Sequence, residues 1–578
     1  MTRYEDKQGE VAVDDFDIEE KTPMSKVLAD GRRIQNVKLT TDDKTVERKL
    51  SQDVRLRNAI GAPPYEQVQF PEGKSPHGAV VRVLWRRFNP YQIGRIADGV
   101  VRPGQQNLYN NYFYRFKLYN PKLPQVCVEG KDIPSMFHST ISQHFFLLKF
   151  ESDPNGYLKI YKGDMSLAII QYSLGNTMSV DTNNLIIQQS YGIPSDVYPA
   201  DAEACVPETF AFPTEEEMKK TGRRDLRSEE FVCTIDPETA RDLDDALSIR
   251  KTKKGTYKVG VHIADVSHFV KPGTALDEEA QQRSTSVYFV DKVVPMLPRR
   301  LCEDYCSLNP SEDKLAFSSL FELSEDGTVL EEWFGQSIIR SRCRLSYEQA
   351  QEIIDTGATP IDVTRECELS GEGEATLKEK VFKSVQLLYQ VASVLRKKSL
   401  AKGRLTVPNT RLGFQFEEQD SKLAPKAFFV KSQIHANWLV EEFMLLANCR
   451  TAEKVVQYSR RDDAPPTAPP EKKKLTVLKQ SLKECGIILI GGDAKGLQDT
   501  LDSAKGHPCY EALSQLLKYS LCRAEYFAND LLETTFRSHF ALGFPWYCHF
   551  TSPIRRYTDV VSHRQLLLGP GGGETNEG

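Results

Sequence analysis

Four aspartates fall within ten residues, Asp236, Asp242, Asp244 and Asp245, in the segment Thr234-Ile-Asp-Pro-Glu-Thr-Ala-Arg-Asp-Leu-Asp-Asp-Ala246. Carboxylates this crowded repel one another. The chain can hold them together only by full solvation or with a cation. Ile235, Leu243, Ala246 and Leu247 interleave with them and argue against full solvation. The cluster therefore reads as a divalent-metal site, with an acidic surface turn as the alternative. Its donors are all oxygens, with no His or Cys among them, which disfavours zinc and favours magnesium or manganese. An EF-hand fails in both registers. A loop starting at Asp236 puts Arg241 at the glycine position and Leu247 at the bidentate glutamate position. A loop starting at Asp242 puts Leu247 at the glycine position. Four carboxylates suffice for two magnesium ions, the arrangement in which one ion activates water and the other stabilises a leaving oxygen during phosphodiester hydrolysis.

The rest of the chain bounds this reading. Its 578 residues imply more than one domain. The formal charge is 75 − 80 = −5, so any nucleic-acid surface must be local. The first twenty residues carry eight Asp or Glu against two Lys or Arg, and residues 1–75 read as mostly disordered or extended. There is no signal-peptide core and no apolar run of membrane-spanning length. The 12 cysteines are scattered without a CxxC pair, which fits reduced thiols in a cytosolic or nuclear protein.

Residues 76–172 read as a small all-β barrel, with runs at Ala79–Arg86, Tyr112–Leu118, Val126–Val128, Phe145–Phe150 and Tyr157–Tyr161. Aromatic and basic residues interleave there (Trp85, Arg86, Arg87, Tyr112, Tyr114, Arg115, Lys117), as suits a surface that stacks bases and tracks phosphates. Barrel core is the alternative for each ring. Residues 173–222 read as a loose connector with one short helix at Glu215–Lys220. Strands surround the aspartates. Helical spacing follows at Ala375–Lys398, Ala436–Val456 and Leu513–Leu532, and the Gly-rich end at 569–578 has no folding content.

Two further segments carry chemistry. Near the end, Tyr547-Cys-His-Phe-Thr-Ser-Pro-Ile-Arg-Arg-Tyr-Thr-Asp559 places Ser552 and Pro553 as a helix start, with Arg555 and Arg556 in the first turn. Free N–H groups and two guanidinium groups there favour phosphate. The alternative is an ion pair with Asp559 or another acid. Earlier, Tyr288 precedes Val293-Val-Pro-Met-Leu-Pro298 and Cys306-Ser-Leu-Asn-Pro310. It is either a base-stacking ring or a core aromatic. His262, in an apolar strand, reads as a buried and satisfied histidine.

In this order, these segments and Leu439-Val-Glu-Glu-Phe-Met-Leu-Leu-Ala-Asn448 resemble the RNB family of ribonuclease II-like 3′→5′ exoribonucleases. The resemblance runs from about Arg223 to Leu567, and the wording is nearest the eukaryotic Dis-three-like exonuclease 2 branch. It implies an α+β fold: an RNB catalytic domain over 223–568, a β-sheet region plus helices around an RNA channel, preceded by an OB or cold-shock barrel. It implies that Asp236, Asp242 and Asp245 hold metal, and that Asp244 is the carboxylate on which catalysis depends. Tyr288 would clamp the terminal nucleotide and Arg555 the scissile phosphate, while Arg556, Glu441 and Glu442 would face RNA. The implied activity is Mg²⁺- (or Mn²⁺-) dependent release of nucleoside 5′-monophosphates from single-stranded RNA with a free 3′ end, oligo-uridine tails included. The setting would be cytoplasmic, with P-bodies as a further expectation, for a monomer without stable exosome association or membrane contact. The chain departs from the family pattern at Cys548, Asp462 and Ile434-His435. A first cold-shock domain is not recognisable in 1–75, and no C-terminal OB domain or N-terminal nuclease domain is seen. The rivals are a non-catalytic RNA-binding protein on the same scaffold and a hydrolase of small phosphoesters.

Overall fold

The computed structural model describes residues 91–97, 113–176, 374–522 and 539–569 with short gaps, residues 179–357 without a gap, and a few two- or three-residue pieces. The expectations for 1–75 (apart from residues 26–27 and 33–34), for Ala79–Arg86, for Trp85–Arg87, for Tyr112, for Asp462 and for 570–578 fall outside the described residues. The chain divides into two compact units, residues 1–193 with 416–425, and 194–415 with 426–578.

The first unit is built on five strands: β1 (Tyr91–Ile96), β2 (Phe113–Leu118), β3 (Val126–Glu129), β4 (His144–Phe150) and β5 (Met165–Asn176). They pair in the order β3-β2-β1-β4-β5, and β5 returns parallel to β3 to close the ring. This is the expected small all-β barrel of the OB type. Alternation sends Phe116, Leu118, Phe146 and Leu148 inward, while Arg115 and Lys117 point to solvent. Tyr114 lies half-buried against the core, so its ring serves packing. Where a loose connector was expected from residue 173, β5 continues to Asn176 and helix α1 (Val180–Tyr191) follows. Ile186 is fully buried against Ile93, Leu147 and Leu174, which ties α1 to the barrel.

In the second unit, helix α2 (Glu215–Thr221) forms where Thr214 and Glu217 build a reciprocal capping box. Five strands then run as a meander: β6 (Val232–Asp236), β7 (Asp245–Lys251), β8 (Tyr257–Ala264), β9 (Asp313–Leu323) and β10 (Val329–Ser346). Each pairs antiparallel with the next, and the end of β10 returns parallel to β6. The sheet thus closes on itself, and β8 is buried along nearly its whole length with both faces covered: Tyr257, Val259, Val261 and Ile263 enter the core shared with the helices, while Gly260, His262 and Ala264 alternate with them on the other face. Inside, His262 bonds Ser248 at 3.0 Å and Ser318 at 2.7 Å. It is buried and satisfied as expected.

Helices α3 (Tyr347–Thr356), α4 (Glu374–Ala401) and α5 (His435–Tyr458) share one core with the sheet through Val381, Val385, Leu439 and Phe443. Burying a side chain such as Phe443 stabilises by about 1.5–3 kcal/mol. A second core joins Leu243, Ala246, Ala264, Met296, Leu308 and Ile554, and it positions the acidic loop. Three more helices, α6 (Lys472–Glu484), α7 (Ala494–Ser503) and α8 (Tyr510–Ser520), pack around Leu482, Leu497 and Leu517. Helix α9 is Tyr557–Leu567.

Candidate active site

The acidic loop joins the end of β6 to the start of β7, so the fold itself brings the four aspartates together. Asp236 is the last residue of β6 and Asp245 the first of β7. The loop between them is held by Ser307. Its hydroxyl accepts the Leu243 N–H at 3.1 Å and donates to the Arg241 carbonyl at 2.9 Å. The Leu308 N–H donates to the Leu243 carbonyl at 3.0 Å. Ser307 is fully buried. It lies in Cys306-Ser-Leu-Asn-Pro310, whose residue types carry no sign of what it holds.

Asp244 is 4% exposed. One carboxylate oxygen accepts the Ile554 N–H at 2.9 Å, and the other accepts Arg555 Nε at 3.2 Å. Burial pushes its carboxyl up to about 8, against the pull of Arg555 and the Ile554 N–H. Burial likewise raises Asp245 to about 6, opposed by Arg555 and Arg556. Asp236 is held well above the ordinary carboxylate range, first by burial and then by repulsion from Asp245 and Asp244. One of its oxygens is buried without a hydrogen-bond donor. Asp242 accepts the Tyr288 hydroxyl at 3.1 Å, and Tyr288 is 53% exposed on a short hairpin. That exposure distinguishes it from a core ring.

The segment with the two arginines differs from the expected helix start. Helix α9 begins at Tyr557, and residues Ser552–Arg556 form a turn before it. The reason is tertiary. The Arg555 carbonyl accepts the Ser286 N–H at 3.0 Å, the Tyr557 N–H donates to Ser284 at 2.9 Å, and Thr285 bridges Arg556. These bonds draw the backbone extended. Asp559, buried under the turn, accepts the Ser552 N–H at 2.7 Å and Arg556 at 2.8 Å. Both arginines are therefore ion-paired, Arg555 with Asp244 and Arg556 with Asp559.

Glu441 and Glu442 lie on α5. Glu442 is 3% exposed and accepts Arg404 at 2.6 Å and Arg396 at 3.1 Å, and Arg404 also grips Glu441. Their partners here are arginines of the helical core.

An all-oxygen donor set, the orphaned Asp236 oxygen and the mutual repulsion of buried carboxylates fit a hard divalent cation. Among the described residues, no three His, Cys, Asp or Glu side chains gather closely enough to enclose a metal alone. Asp242 and Asp244 already accept protein donors. Magnesium completes such open sites with water and substrate phosphate.

Residues 223–569 match the RNB domain, and the chain belongs to that family. RNB-family nucleases use a divalent metal. The chain is 40% identical to a DIS3-like exonuclease 2 of Schizosaccharomyces pombe over 69% of its own length and 43% of the relative's. It is 39% identical to an inactive exonuclease DIS3L2 of Arabidopsis thaliana, over 66% of this chain and 36% of that one. The chain thus spans less than half the length of these two relatives. Mycoplasma genitalium RNase R, solved with ribose-methylated single-stranded RNA, shares the fold at a TM-score of 0.67 and 24% identity, covering 86% of this chain and 72% of that one.

Proposed function

We propose that the protein is a divalent-metal-dependent 3′→5′ exoribonuclease that removes nucleoside 5′-monophosphates from single-stranded RNA. The observation that carries this reading is that Asp242 holds the exposed Tyr288 and Asp244 holds Arg555, with Asp236 within electrostatic reach of the other loop aspartates and Asp245 within reach of Arg555. Asp236, Asp242 and Asp245 would hold magnesium, which supplies a Lewis acid and lowers the pKa of bound water. Arg555 would exchange its Asp244 partner for the scissile phosphate, where a guanidinium stabilises developing charge. Asp244, freed of Arg555, would be the carboxylate on which catalysis depends. Tyr288 presents a ring for the terminal base, oriented through its hydroxyl on Asp242. The likeness to DIS3-like exonuclease 2 supports uridine-tailed RNA as substrate and a cytoplasmic role apart from the exosome. No described helix is long and apolar enough to cross a membrane.

The test is degradation of 5′-labelled single-stranded RNA with Mg²⁺. Asp244→Asn is expected to lose at least about a hundredfold in rate while still retaining RNA on filters. Equal rates for both proteins would sink the mechanism.

A second reading is an RNA-binding protein on an RNB scaffold without turnover. The relative named as inactive, at almost the same identity as the S. pombe relative, favours it. Retention of RNA without Mg²⁺-dependent shortening, at protein in excess over RNA, would establish that reading instead.

A further inference from the structure

A cavity of about 410 Å³ opens at the far end of β7 from the aspartates, between that strand and helix α4. Six residues of extended strand separate Asp245 from Lys251, roughly 20 Å, so this is a different place from the candidate active site. The volume falls within the range of small-ligand pockets, about 300–1,000 Å³.

Its lining combines three chemistries. Arg250, Lys251, Arg342, Lys380 and Lys383 surround it, with Glu229 and Glu230 also in the lining and with Glu325 and Glu379 pairing Lys251 and Lys383. Five cations against four acids leave a concave surface with a net positive charge, which concentrates anions. The floor is apolar and includes a ring. Leu377 is buried, Ile249 and Leu387 also line the cavity, and Phe231 lies half-buried with Lys380 Nζ 6.0 Å from its centroid. The third element is the Glu230 carboxylate, whose side chain is 8% exposed. Among the described residues it is met by Ser248 at 3.3 Å and by Arg250 at 3.5 Å, both long contacts. A carboxylate bonded this weakly retains acceptor capacity for N–H or O–H groups. Inorganic phosphate would use only the cations. A ligand satisfying all three carries a phosphate, a flat apolar ring and hydrogen-bond donors.

We propose that this cavity binds a nucleoside 5′-phosphate, separately from the aspartate site. The proposal does not depend on hydrolysis there.

The full chain is titrated with uridine 5′-monophosphate by calorimetry in EDTA, with uridine and inorganic phosphate in parallel. Saturable binding of the nucleotide is expected, at least tenfold tighter than either fragment. It should weaken at least tenfold in Lys380→Gln/Lys383→Gln and in Arg342→Gln, and persist in Arg555→Gln. Thermal unfolding shows whether each variant is folded. If Arg342→Gln unfolds because the Arg227 carbonyl loses its donor, the lysine pair and the exposed Arg250→Gln carry the test. The proposal is overturned by absence of saturable binding, by phosphate binding as tightly as the nucleotide, or by binding lost in Arg555→Gln and intact in the cavity variants.

Discussion

At the scale of single residues, Asp244 and Arg555 hold each other in an ion pair. In the mechanism proposed above, that pair stands in for the contact a phosphate would make. Arg555→Ala should therefore lower the rate of RNA shortening by about 10²–10³-fold, the cost of losing one donor aimed at developing charge. Single-turnover kinetics with labelled RNA would measure it, and a loss below tenfold would remove Arg555 from the reacting centre. His262 makes a different prediction. Burial depresses its pKa to about 3, whereas an unfolded histidine titrates near 6.5. The folded state keeps it neutral while the unfolded state takes up a proton, so its contribution is complete above pH ~6.5 and is lost as pH falls toward 3. Between pH 7 and pH 5 that loss is about 2 kcal/mol. Urea unfolding at both pH values should show a smaller difference for His262→Asn than for the original chain.

At the scale of elements, α5 shows how a sequence motif and its structural use can diverge. Its apolar spacing was legible and the helix runs His435–Tyr458, close to the expected Ala436–Val456. The two glutamates read as lining an RNA channel, but their partners, Arg396 and Arg404, come from the α4 region some forty residues earlier. No local pattern announces such a pairing. Glu442→Ala would leave two guanidinium groups without their buried acid and should cost about 3–5 kcal/mol in stability. Urea unfolding would measure this. If stability holds and only RNA affinity drops, the channel role expected from the family is the correct one. The segment before α9 failed in the opposite direction. Ser552-Pro553 has the chemistry of a helix start, yet long-range bonds to residues 284–286 delay the helix to Tyr557. Local propensity of a kcal/mol or so is readily outweighed by several tertiary hydrogen bonds.

At the scale of the whole molecule, the formal charge of −5 conceals local fields of the opposite sign. Arg115 and Lys117 stand exposed on one barrel strand. If the barrel tracks the RNA backbone, replacing both with Ala should weaken single-stranded RNA binding. It should also flatten the dependence of log affinity on log salt by about 0.7 for each lost phosphate contact. Filter binding across a salt series would show it, and an unchanged slope would free the barrel of that role.

The sequence by itself determined the acidic loop and its all-oxygen donor set, the barrel and helices α4 and α5, because these rest on residue type and on periods of two and 3.6 residues along the chain, whereas the helix expected at Leu513–Leu532 is the shorter Tyr510–Ser520. Only the tertiary structure decided the closure of the second sheet, the docking of α1, the Ser307 staple, the displaced start of α9 and the arginine partners of Asp244, Glu441 and Glu442. Each of these joins groups distant in sequence or overrides a local preference. Burial sets the energies there, making an unpaired charge or an unsatisfied N–H costly enough to select the partner.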